Sequence, residues 1–193
     1  MKGLTVWFTG LPSSGKTTIS EAVFEELQAR HWKVGLIDGD AVRKTICRDL
    51  GFSKEDRDEN VRRVAELAEI LTRRGIHALV SLISPYRSTR EEVYAKLGNV
   101  VEVFVHAPLG VCEQRDVKGL YRRTRARSNG VNTMTGLGDP YEAPIDPHVI
   151  CFTDIESPAY SAAKVIAAIE HRLMAMIFRE LGEEQHSSES ARP

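Results

Sequence analysis

The feature that most constrains this sequence of 193 residues is a glycine-rich segment near its start. Residues 4–8 are apolar apart from one threonine, which predicts a buried strand. Residues 10–17 follow, and they match the pattern G-x-x-x-x-G-K-[ST] at every fixed position. Ile19, Val23 and Leu27 then recur at the spacing of a helix. The order of strand, glycine loop and helix predicts a loop that binds phosphate groups.

The residue types in this loop suit an anion. Glycines let backbone N–H groups surround a phosphate, and the positive end of the following helix dipole adds to the attraction. We expect Lys16 to reach the β- and γ-phosphates of ATP and the Thr17 hydroxyl to bind Mg²⁺. The alternative is a glycine-rich turn that ends in a surface lysine. The predicted ATP site consists of Gly10, Leu11, Pro12, Ser13, Ser14, Gly15, Lys16, Thr17, Thr18 and, from a later basic segment, Arg125.

Composition and charge limit the class of protein. With 42% apolar residues, a chain of this length suits one domain around one core. A net charge of −1 and a pI near 6.6 argue against bulk binding of nucleic acid or of an anionic membrane. The sequence contains no apolar run of the roughly 18–20 residues that a membrane span needs. We therefore expect no nucleic-acid partner and no membrane partner.

The start of the chain and its cysteines indicate the compartment. The first predicted strand begins within a few residues of Met1, which leaves no room for a signal peptide. Cys47, Cys112 and Cys151 are far apart, with the spacing of neither a metal site nor a disulfide framework. They suit three ordinary thiols in a reducing compartment. We expect a cytoplasmic protein.

Segments with the pattern of strands alternate with segments that have the pattern of helices. The predicted strands cover residues 4–8, 33–37, 76–83, 99–105 and 148–152. After the helix behind the glycine loop, further helices are predicted over residues 41–50, 53–75 (opened by a capping pair, Ser53 and Asp56), 88–97, 109–115 and 158–180. Residues 118–147 lack periodicity and predict a long loop or lid. We expect one domain over residues 1–181, followed by a disordered polar tail over residues 182–193.

This alternation predicts an α/β fold in three layers, with a mostly parallel central sheet flanked by helices. In such sheets, ligands bind beyond the carboxyl ends of the strands. Four conspicuous segments fall at that edge, namely the glycine loop and residues 38–40, 84–87 and 106–109. Sheet packing alone does not require this placement, so it is independent support for a site.

Two acidic residues follow the second predicted strand. Asp38 and Asp40 flank a glycine beside the expected position of the glycine loop. A carboxylate there can hold Mg²⁺ through water, or accept a proton from an attacking hydroxyl. The alternative is a simple turn, because Asp-Gly is a common turn former.

Arginines at helical spacing come next. Arg43 lies about one helical turn after Asp40, and Arg57 and Asn60 share a helix face. A guanidinium can bind a phosphate or a sulfate through two parallel hydrogen bonds. Phe52 lies outside any periodic stripe and could stack on a base, or it could belong to the core. The arginines could instead be surface residues paired with Glu55, Asp56, Asp58 and Glu59.

The aperiodic segment begins with a basic cluster, which comprises Lys118, Arg122, Arg123, Arg125 and Arg127. A basic run can indicate nucleic acid, but proteins that read bases usually spread charge over a face or a stripe. A mobile lid explains the clustering better, because its closure excludes water and brings cations to a triphosphate. A solvated run of charges is the remaining alternative.

Several motifs together carry a family resemblance that covers almost the whole chain. They are Trp7-Phe-Thr-Gly-Leu with the glycine loop, Asp38-Gly-Asp-x-x-Arg43, the block from Leu50 to Arg63, Ile83-Ser-Pro-Tyr86, the block from Cys112 to Tyr121 and Asp139-Pro-Tyr-Glu-Ala-Pro144. With these motifs the sequence resembles the adenosine-5′-phosphosulfate (APS) kinases. The glycine loop alone would fit many nucleotide-binding proteins, whereas the block from Leu50 and the segment from Arg115 to Tyr121 are much more specific.

The resemblance implies a P-loop kinase fold with a basic lid and a reaction in which ATP and APS give ADP and PAPS, with Mg²⁺. It implies catalytic roles for Lys16, Asp40 and Ser84, and metal binding by Thr17 and Asp38. It implies an APS pocket lined by Asp40, Arg43, Phe52 (against the adenine), Arg57, Asn60, Ile83, Ser84, Lys118, Leu120 and Met134. The serine at position 84 is described as a phosphoserine site in this family, although in-line transfer between two bound substrates needs only positioning and electrostatics.

The sequence departs from the family pattern in two places. Met134-Thr-Gly136 stands where the family usually has Phe-Thr-Gly, in a slightly longer lid, and methionine offers no π-stacking to an adenine. The usual polar arm before the first strand is almost missing, so the chain is either a short form or the kinase part of a fusion with ATP sulfurylase. We expect a homodimer. Two other functions stay open, namely a kinase for a related nucleotide or sugar-like acceptor, and a nucleotide-binding regulatory module of a sulfurylase.

Overall fold

The computed structural model describes residues 2–126 and 134–189. Its strands are β1 (Thr5–Thr9), β2 (Val34–Asp38), β3 (His77–Ser81), β4 (Val100–His106) and β5 (Val149–Phe152). Its helices are α1 (Lys16–Ala29), α2 (Gly39–Lys44), α3 (Lys54–Arg73), α4 (Arg87–Leu97), α5 (Leu109–Arg115), α6 (Leu120–Ala126) and α7 (Pro158–Glu189).

The five strands form one sheet in the order β2-β3-β1-β4-β5, and every pairing among them is parallel. Strand β1 is central, because Thr5 lies opposite Ala78 of β3 on one side and Val100 of β4 on the other. The predicted α/β fold with helices around a parallel sheet is confirmed. Because β1 is central, the glycine loop that follows it lies at the middle of the sheet's carboxyl edge.

Helices cover both faces of the sheet, and the side chains of β1 alternate between two cores. Val6 and Phe8 face a core that α1 and α7 complete. Trp7 faces the opposite core, which α3 and α4 complete. Burial on both faces explains why the strand sequences are nearly continuous apolar runs.

Helix α3 begins where the capping pair predicts. Ser53 accepts a hydrogen bond from the backbone N–H of Asp56 at 3.1 Å, and the helix ends at Arg73. Helix α2 is shorter than predicted and ends at Lys44 instead of residue 50. There the backbone N–H of Cys47 bonds to the carbonyl of Val42, which turns the chain inward and buries the Cys47 thiol.

The prediction of an aperiodic loop over residues 118–147 is wrong for its first part, since Leu120–Ala126 forms helix α6. The carboxylate of Asp116 accepts hydrogen bonds from the backbone N–H groups of Tyr121 and Arg122, both at 3.0 Å. Such capping stabilises a first turn whatever the hydrophobic pattern, which is why periodicity did not predict this helix. Arg127, which was predicted to belong to the basic cluster, lies outside the described residues.

Helix α7 continues beyond its predicted end at residue 180 to Glu189, so residues 182–189 of the predicted disordered tail are helical. Glutamate and glutamine are good helix formers, and a single glycine at position 182 costs only about 1 kcal/mol in a helix. Within the described ranges, none of the helices combines the length and the apolar character needed to cross a membrane.

The central strands should dominate the free energy of unfolding. Leu79 of β3 is fully buried, so Leu79→Ala should lower that free energy by about 2–5 kcal/mol in urea denaturation. Ile70→Ala, on the half-exposed side of α3, is the control and should change it by less than about 0.5 kcal/mol. Equal losses in the two variants would contradict the assignment of the core.

Candidate active site

The glycine loop leaves β1 with a backbone that only glycine can adopt at its first position. Gly10 has φ 156°, and a Cβ there would lie 2.3 Å from the carbonyl oxygen of Val105 in β4. Gly15 has φ +102° and precedes the first turn of α1. Neither position tolerates a larger side chain, so the loop can bring its backbone N–H groups close to a ligand.

Lys16 is directed into this loop and is only 9% exposed. Its ammonium donates to the carbonyl oxygens of Gly10 at 3.0 Å and Leu11 at 2.7 Å. Burial lowers the pKa of Lys16 to about 7, because an ammonium loses hydration inside the protein. A polyphosphate bound to the loop would supply the negative charge that favours the protonated form.

Thr17 and Asp38 lie beside each other, as the predicted metal site requires. The Thr17 hydroxyl donates to Asp38 Oδ2 at 3.5 Å, and Asp38 Oδ1 accepts from the backbone N–H groups of Asp40 and Ala41 at 3.0 Å each. Within residues 2–126 and 134–189, no group of three or more His, Cys, Asp or Glu could hold a metal. One hydroxyl and one carboxylate fit Mg²⁺, which keeps several waters and binds substrate phosphates for its other positions.

The loop is supported by two residues that the sequence did not assign. Thr153, directly after β5, donates to the carbonyl oxygen of Ser14 at 2.6 Å. Arg115, at the end of α5, donates to the Thr153 carbonyl at 2.6 Å and to its hydroxyl at 3.0 Å. Arg115 belongs to one of the family motifs, but only the tertiary structure shows that it supports the glycine loop through Thr153.

The aromatic ring of Phe52, in the segment between α2 and α3, forms a wall with one guanidinium group from each of these helices. Phe52 is 61% exposed, so the alternative that it belongs to the core is wrong. The guanidinium carbons of Arg43 and Arg57 lie 5.1 and 5.7 Å from the centre of its ring. Arg43 also donates to the carbonyl oxygen of Gly51 at 2.6 Å, which fixes the segment that carries the ring. Burial, and next the charge of Arg57, lower the pKa of Arg43.

Arg57 is only 7% exposed, so the alternative that it is a surface residue is wrong, and Asn60 on the same helix face is 4% exposed. Arg57 Nε bonds to the carbonyl oxygen of Phe52 at 3.2 Å and lies 3.0 Å from the carboxylate of Asp139. The amide oxygen of Asn60 is buried without a hydrogen-bond partner among the described residues. Because an unpaired buried acceptor is costly, this oxygen is well placed to receive a donor from a ligand.

Ser84 follows β3 with φ 40° and is only 1% exposed. Its oxygen accepts from the indole N–H of Trp7 at 3.0 Å, and its hydroxyl donates to the oxygen of Thr9 at 3.1 Å. Thr9 in turn donates to the carbonyl oxygen of Ile83 at 2.7 Å. A buried hydroxyl with both of these bonds suits a role in fixing the loop after β3. A group that attacks a substrate would instead have to be accessible to it.

The described lid residues contact both Asp40 and the glycine loop. The ammonium of Lys118 forms an ion pair with the carboxylate of Asp40. Leu120 is the half-buried first residue of α6, and Tyr121 donates through its hydroxyl to the carbonyl oxygen of Pro12 at 3.0 Å. Arg125, which we expected near ATP, pairs with Glu113 at 2.7 Å.

Met134 is half-buried in a small apolar cluster between the lid and the glycine loop. Thr124 of α6 donates to its sulfur at 3.4 Å, and Leu11 packs against the same cluster. Gly136, with φ +91°, lies so close to Leu11 that a Cβ would approach the leucine side chain to 2.7 Å. The prediction that Met134 closes over an adenine stays a prediction.

A cavity of about 510 Å³ lies between the glycine loop and the lid, lined by Leu11, Leu109 and residues 136–141. Its volume is in the range of pockets that hold small ligands.

The sequence had assigned no role to Asp139, Tyr86 or Tyr141, although two of the motifs contain them. Burial, and next the carboxylate of Asp139, raise the pKa of Tyr86 to about 12, so that its hydroxyl stays a donor.

A phosphate-binding loop at the centre of a parallel sheet, together with a cationic wall and a basic lid, defines a P-loop kinase. The family model described as adenylylsulphate kinase matches residues 2–152. The chain therefore belongs to the adenylylsulphate kinase family.

Relatives and solved structures agree with this assignment. An adenylyl-sulfate kinase of Microcystis aeruginosa is 55% identical over 164 residues, which cover 85% of this chain and 90% of that protein. One of Gloeothece citriformis is 51% identical over 88% of this chain and 95% of that protein. The structure of the Mycobacterium tuberculosis APS kinase CysC in complex with AMPPNP and APS is 39% identical, with a TM-score of 0.82, over 88% of this chain and 98% of that one. A gluconokinase of Sinorhizobium meliloti, at 18% identity and a TM-score of 0.58, shares the fold.

The lowered pKa of Lys16 predicts that nucleotide binding takes up a proton. The ammonium is largely deprotonated above pH 7 in the empty protein, and bound phosphates raise its pKa, so ADP affinity should fall as the pH rises above 7. Calorimetry with ADP at about pH 8, in two buffers of different ionisation enthalpy, should show an uptake approaching one proton. Lys16→Met has no titrating group there and should lose the uptake, whereas an uptake near zero in the wild type would contradict the burial of a titrating ammonium.

Proposed function

We propose that this protein transfers the γ-phosphoryl group of ATP to the 3′-hydroxyl of APS, giving PAPS and ADP. The observation that carries the proposal is the wall, where the exposed Phe52 ring lies 5.1 and 5.7 Å from the guanidinium carbons of Arg43 and Arg57. On the same helix as Arg57, the buried amide oxygen of Asn60 has no hydrogen-bond partner among the described residues. A flat adenine and an anionic phosphosulfate group match an aromatic face with guanidinium groups around it. The M. tuberculosis structure, described as a complex with AMPPNP and APS, supports the same assignment.

In this proposal each part of the site has a separate task. The glycine loop and Lys16 bind the β- and γ-phosphates, with Thr17 and Asp38 holding Mg²⁺ through a hydroxyl and through water. Bound Mg²⁺ neutralises charge on the phosphate oxygens during transfer. Asp40 accepts the proton of the acceptor hydroxyl, and its ion pair with Lys118 has to open when the acceptor enters.

The acceptor is proposed to be held by the wall, the loop after β3 and the lid. Arg43, Arg57 and Asn60 bind its polar groups, with Phe52 against its adenine. Ile83 and Ser84 contact it from the end of β3, where the hydroxyl network of Ser84 fixes the backbone. Lys118, Leu120 and Met134 close from the lid, so that water is excluded from the transfer.

A related acceptor is the second candidate function, and the observation that favours it is Met134 in the lid where the family usually has phenylalanine. We further propose a cytoplasmic homodimer, with an ATP sulfurylase as partner or fused domain. A structural neighbour described as a hexameric APS kinase from Thiobacillus denitrificans, 30% identical with a TM-score of 0.66, supports assembly in this family, and this chain covers 29% of that one.

The proposed reaction is tested by ADP release from ATP with a panel of acceptors, including APS, AMP, adenosine 3′-phosphate, gluconate and shikimate. APS should give the highest kcat/KM by at least about a hundredfold, because its charge and its ring match the wall. A higher value for another acceptor would shift the assignment to that acceptor. Tight ATP binding without turnover on any acceptor would favour a regulatory module.

Lys16→Ala should lower kcat with APS by at least about a hundredfold, since it removes a preorganised cation from the phosphates. Lys96→Ala is the matched control, because Lys96 is an exposed lysine of α4 with only a long ion pair to Glu66. The control should keep wild-type kcat and KM. Near-wild-type activity of Lys16→Ala would exclude the glycine loop as the ATP site.

Met134→Phe tests the lid. If Met134 closes over the acceptor adenine, phenylalanine adds an aromatic contact of about 0.5–1.5 kcal/mol, and APS should bind roughly two- to tenfold tighter. Calorimetry with APS in the presence of ADP measures this, and ADP affinity should stay unchanged. Unchanged or weaker APS binding would mean that Met134 does not contact the acceptor ring.

A further inference from the structure

Asp139 connects the lid to the wall of the acceptor site. Its carboxylate lies 3.0 Å from Arg57 Nε and accepts hydrogen bonds from the hydroxyl of Tyr86 at 2.9 and 3.0 Å. The side chains of Arg57 and Asp139 are 9% and 21% exposed, so their charges meet largely away from water. Arg57 belongs to α3 and Tyr86 immediately precedes α4, so a single carboxylate joins three segments.

The backbone of Asp139 belongs to the part of the lid that closes over the glycine loop. Its N–H donates to the carbonyl oxygen of Met134 at 3.1 Å, and its carbonyl accepts from the N–H of Gly136 at 2.7 Å. These bonds close a compact turn, and Gly136 in that turn packs against Leu11 of the glycine loop. The position of the Asp139 carboxylate is therefore tied to the position of the lid.

The segment just after Asp139 is anchored to the body of the protein. The fully buried guanidinium of Arg90 donates to the carbonyl oxygen of Ser84 at 2.8 Å and to that of Glu142 at 2.7 Å. The backbone N–H of Glu142 also donates to the carbonyl oxygen of Pro85 at 2.9 Å. The end of the lid is thus held against the loop after β3, three residues after Asp139.

A buried guanidinium needs an opposite charge, and the direction of that charge fixes the plane of the group. The Nε edge of Arg57 is held by Asp139 and by the carbonyl of Phe52, the residue whose ring is proposed to face the acceptor. Rotation of the guanidinium would therefore break both contacts. A neutral side chain at position 139 would keep the shape of this contact and lose the charge.

We propose that Asp139 is a positioning residue that orients Arg57 for the acceptor and so makes acceptor affinity depend on the lid. The inference rests on the proposed function, because it assigns Arg57 to the APS site. Asp139 acts through Arg57, and the hydroxyl of Tyr86 donates to its carboxylate. The ATP site does not depend on this contact, since Lys16 and the glycine loop have their own supports.

The test is a double-mutant cycle with steady-state kinetics for both substrates. Asp139→Asn should raise the KM for APS about tenfold or more, since it removes a charge-assisted contact to a buried group. The KM for ATP should change by less than about twofold. In an Arg57→Ala background, Asp139→Asn should have no further effect on the KM for APS, because its target is gone. A residue with only a structural role would lower stability in both backgrounds and would affect both substrates.

Two further variants complete the design. Tyr86→Phe keeps the ion pair and removes one donor to it, so it should raise the KM for APS by a smaller factor than Asp139→Asn. Glu92→Gln is the matched control, because Glu92 forms an exposed two-point ion pair with Arg62 of the same helix α3, at 2.8 and 3.0 Å. It should leave both KM values unchanged, and thermal unfolding should show that all variants are folded.

The inference is overturned if Asp139→Asn leaves the KM for APS unchanged, raises both KM values equally or adds its full effect to that of Arg57→Ala. These outcomes are distinct from failure of the proposed function. If the wild-type protein does not phosphorylate APS, the acceptor is wrong. If the wild type does so and Asp139→Asn behaves like Glu92→Gln, only the role of Asp139 is wrong.

Discussion

The rest of the site depends on one buried charge, the ammonium of Lys16, and on its contacts with the glycine loop. It lies under the glycine loop against the carbonyl oxygens of Gly10 and Leu11, with its pKa lowered by burial to about 7. A cation in that position is costly until an anion arrives, so the site favours the binding of a polyphosphate. The sheet makes the buried position of Lys16 possible, because the central strand β1 ends just before Gly10, which lies close to the backbone of the neighbouring strand β4.

The same constraint arranges the acceptor side. In a parallel sheet all strands end at one edge, so the residues after β2 and β3 must face the loop after β1. Asp40 and Ser84 are brought to the site in this way, while α3 adds Arg57 and Asn60 as a buried wall. Arg43 and Arg57 carry positive charge on the acceptor side, as Lys16 does at the glycine loop, which suits transfer between two anionic substrates.

The sequence predicted the parts of the site that depend on local pattern. Residues 10–17 carry a fixed motif, and Ser53 begins α3 as a capping residue should. It did not decide whether Phe52 and Arg57 were core, surface or site, because burial is a property of the whole fold. Asp139 received no role for the same reason, since its partners lie 53 and 82 positions away in the chain. Helix α6 was missed because Asp116 caps it without a hydrophobic period.

The central claim is that the phosphoryl group reaches the 3′-oxygen of APS. Phosphorus NMR of the wild-type reaction with ATP, Mg²⁺ and APS tests it most directly, because a phosphate ester at that oxygen couples to the ribose H3′ proton. We expect a new phosphomonoester signal with this coupling, which grows in step with ADP while the phosphosulfate signal is retained. Formation of ADP with inorganic phosphate alone, or of an ester at another oxygen, would contradict it.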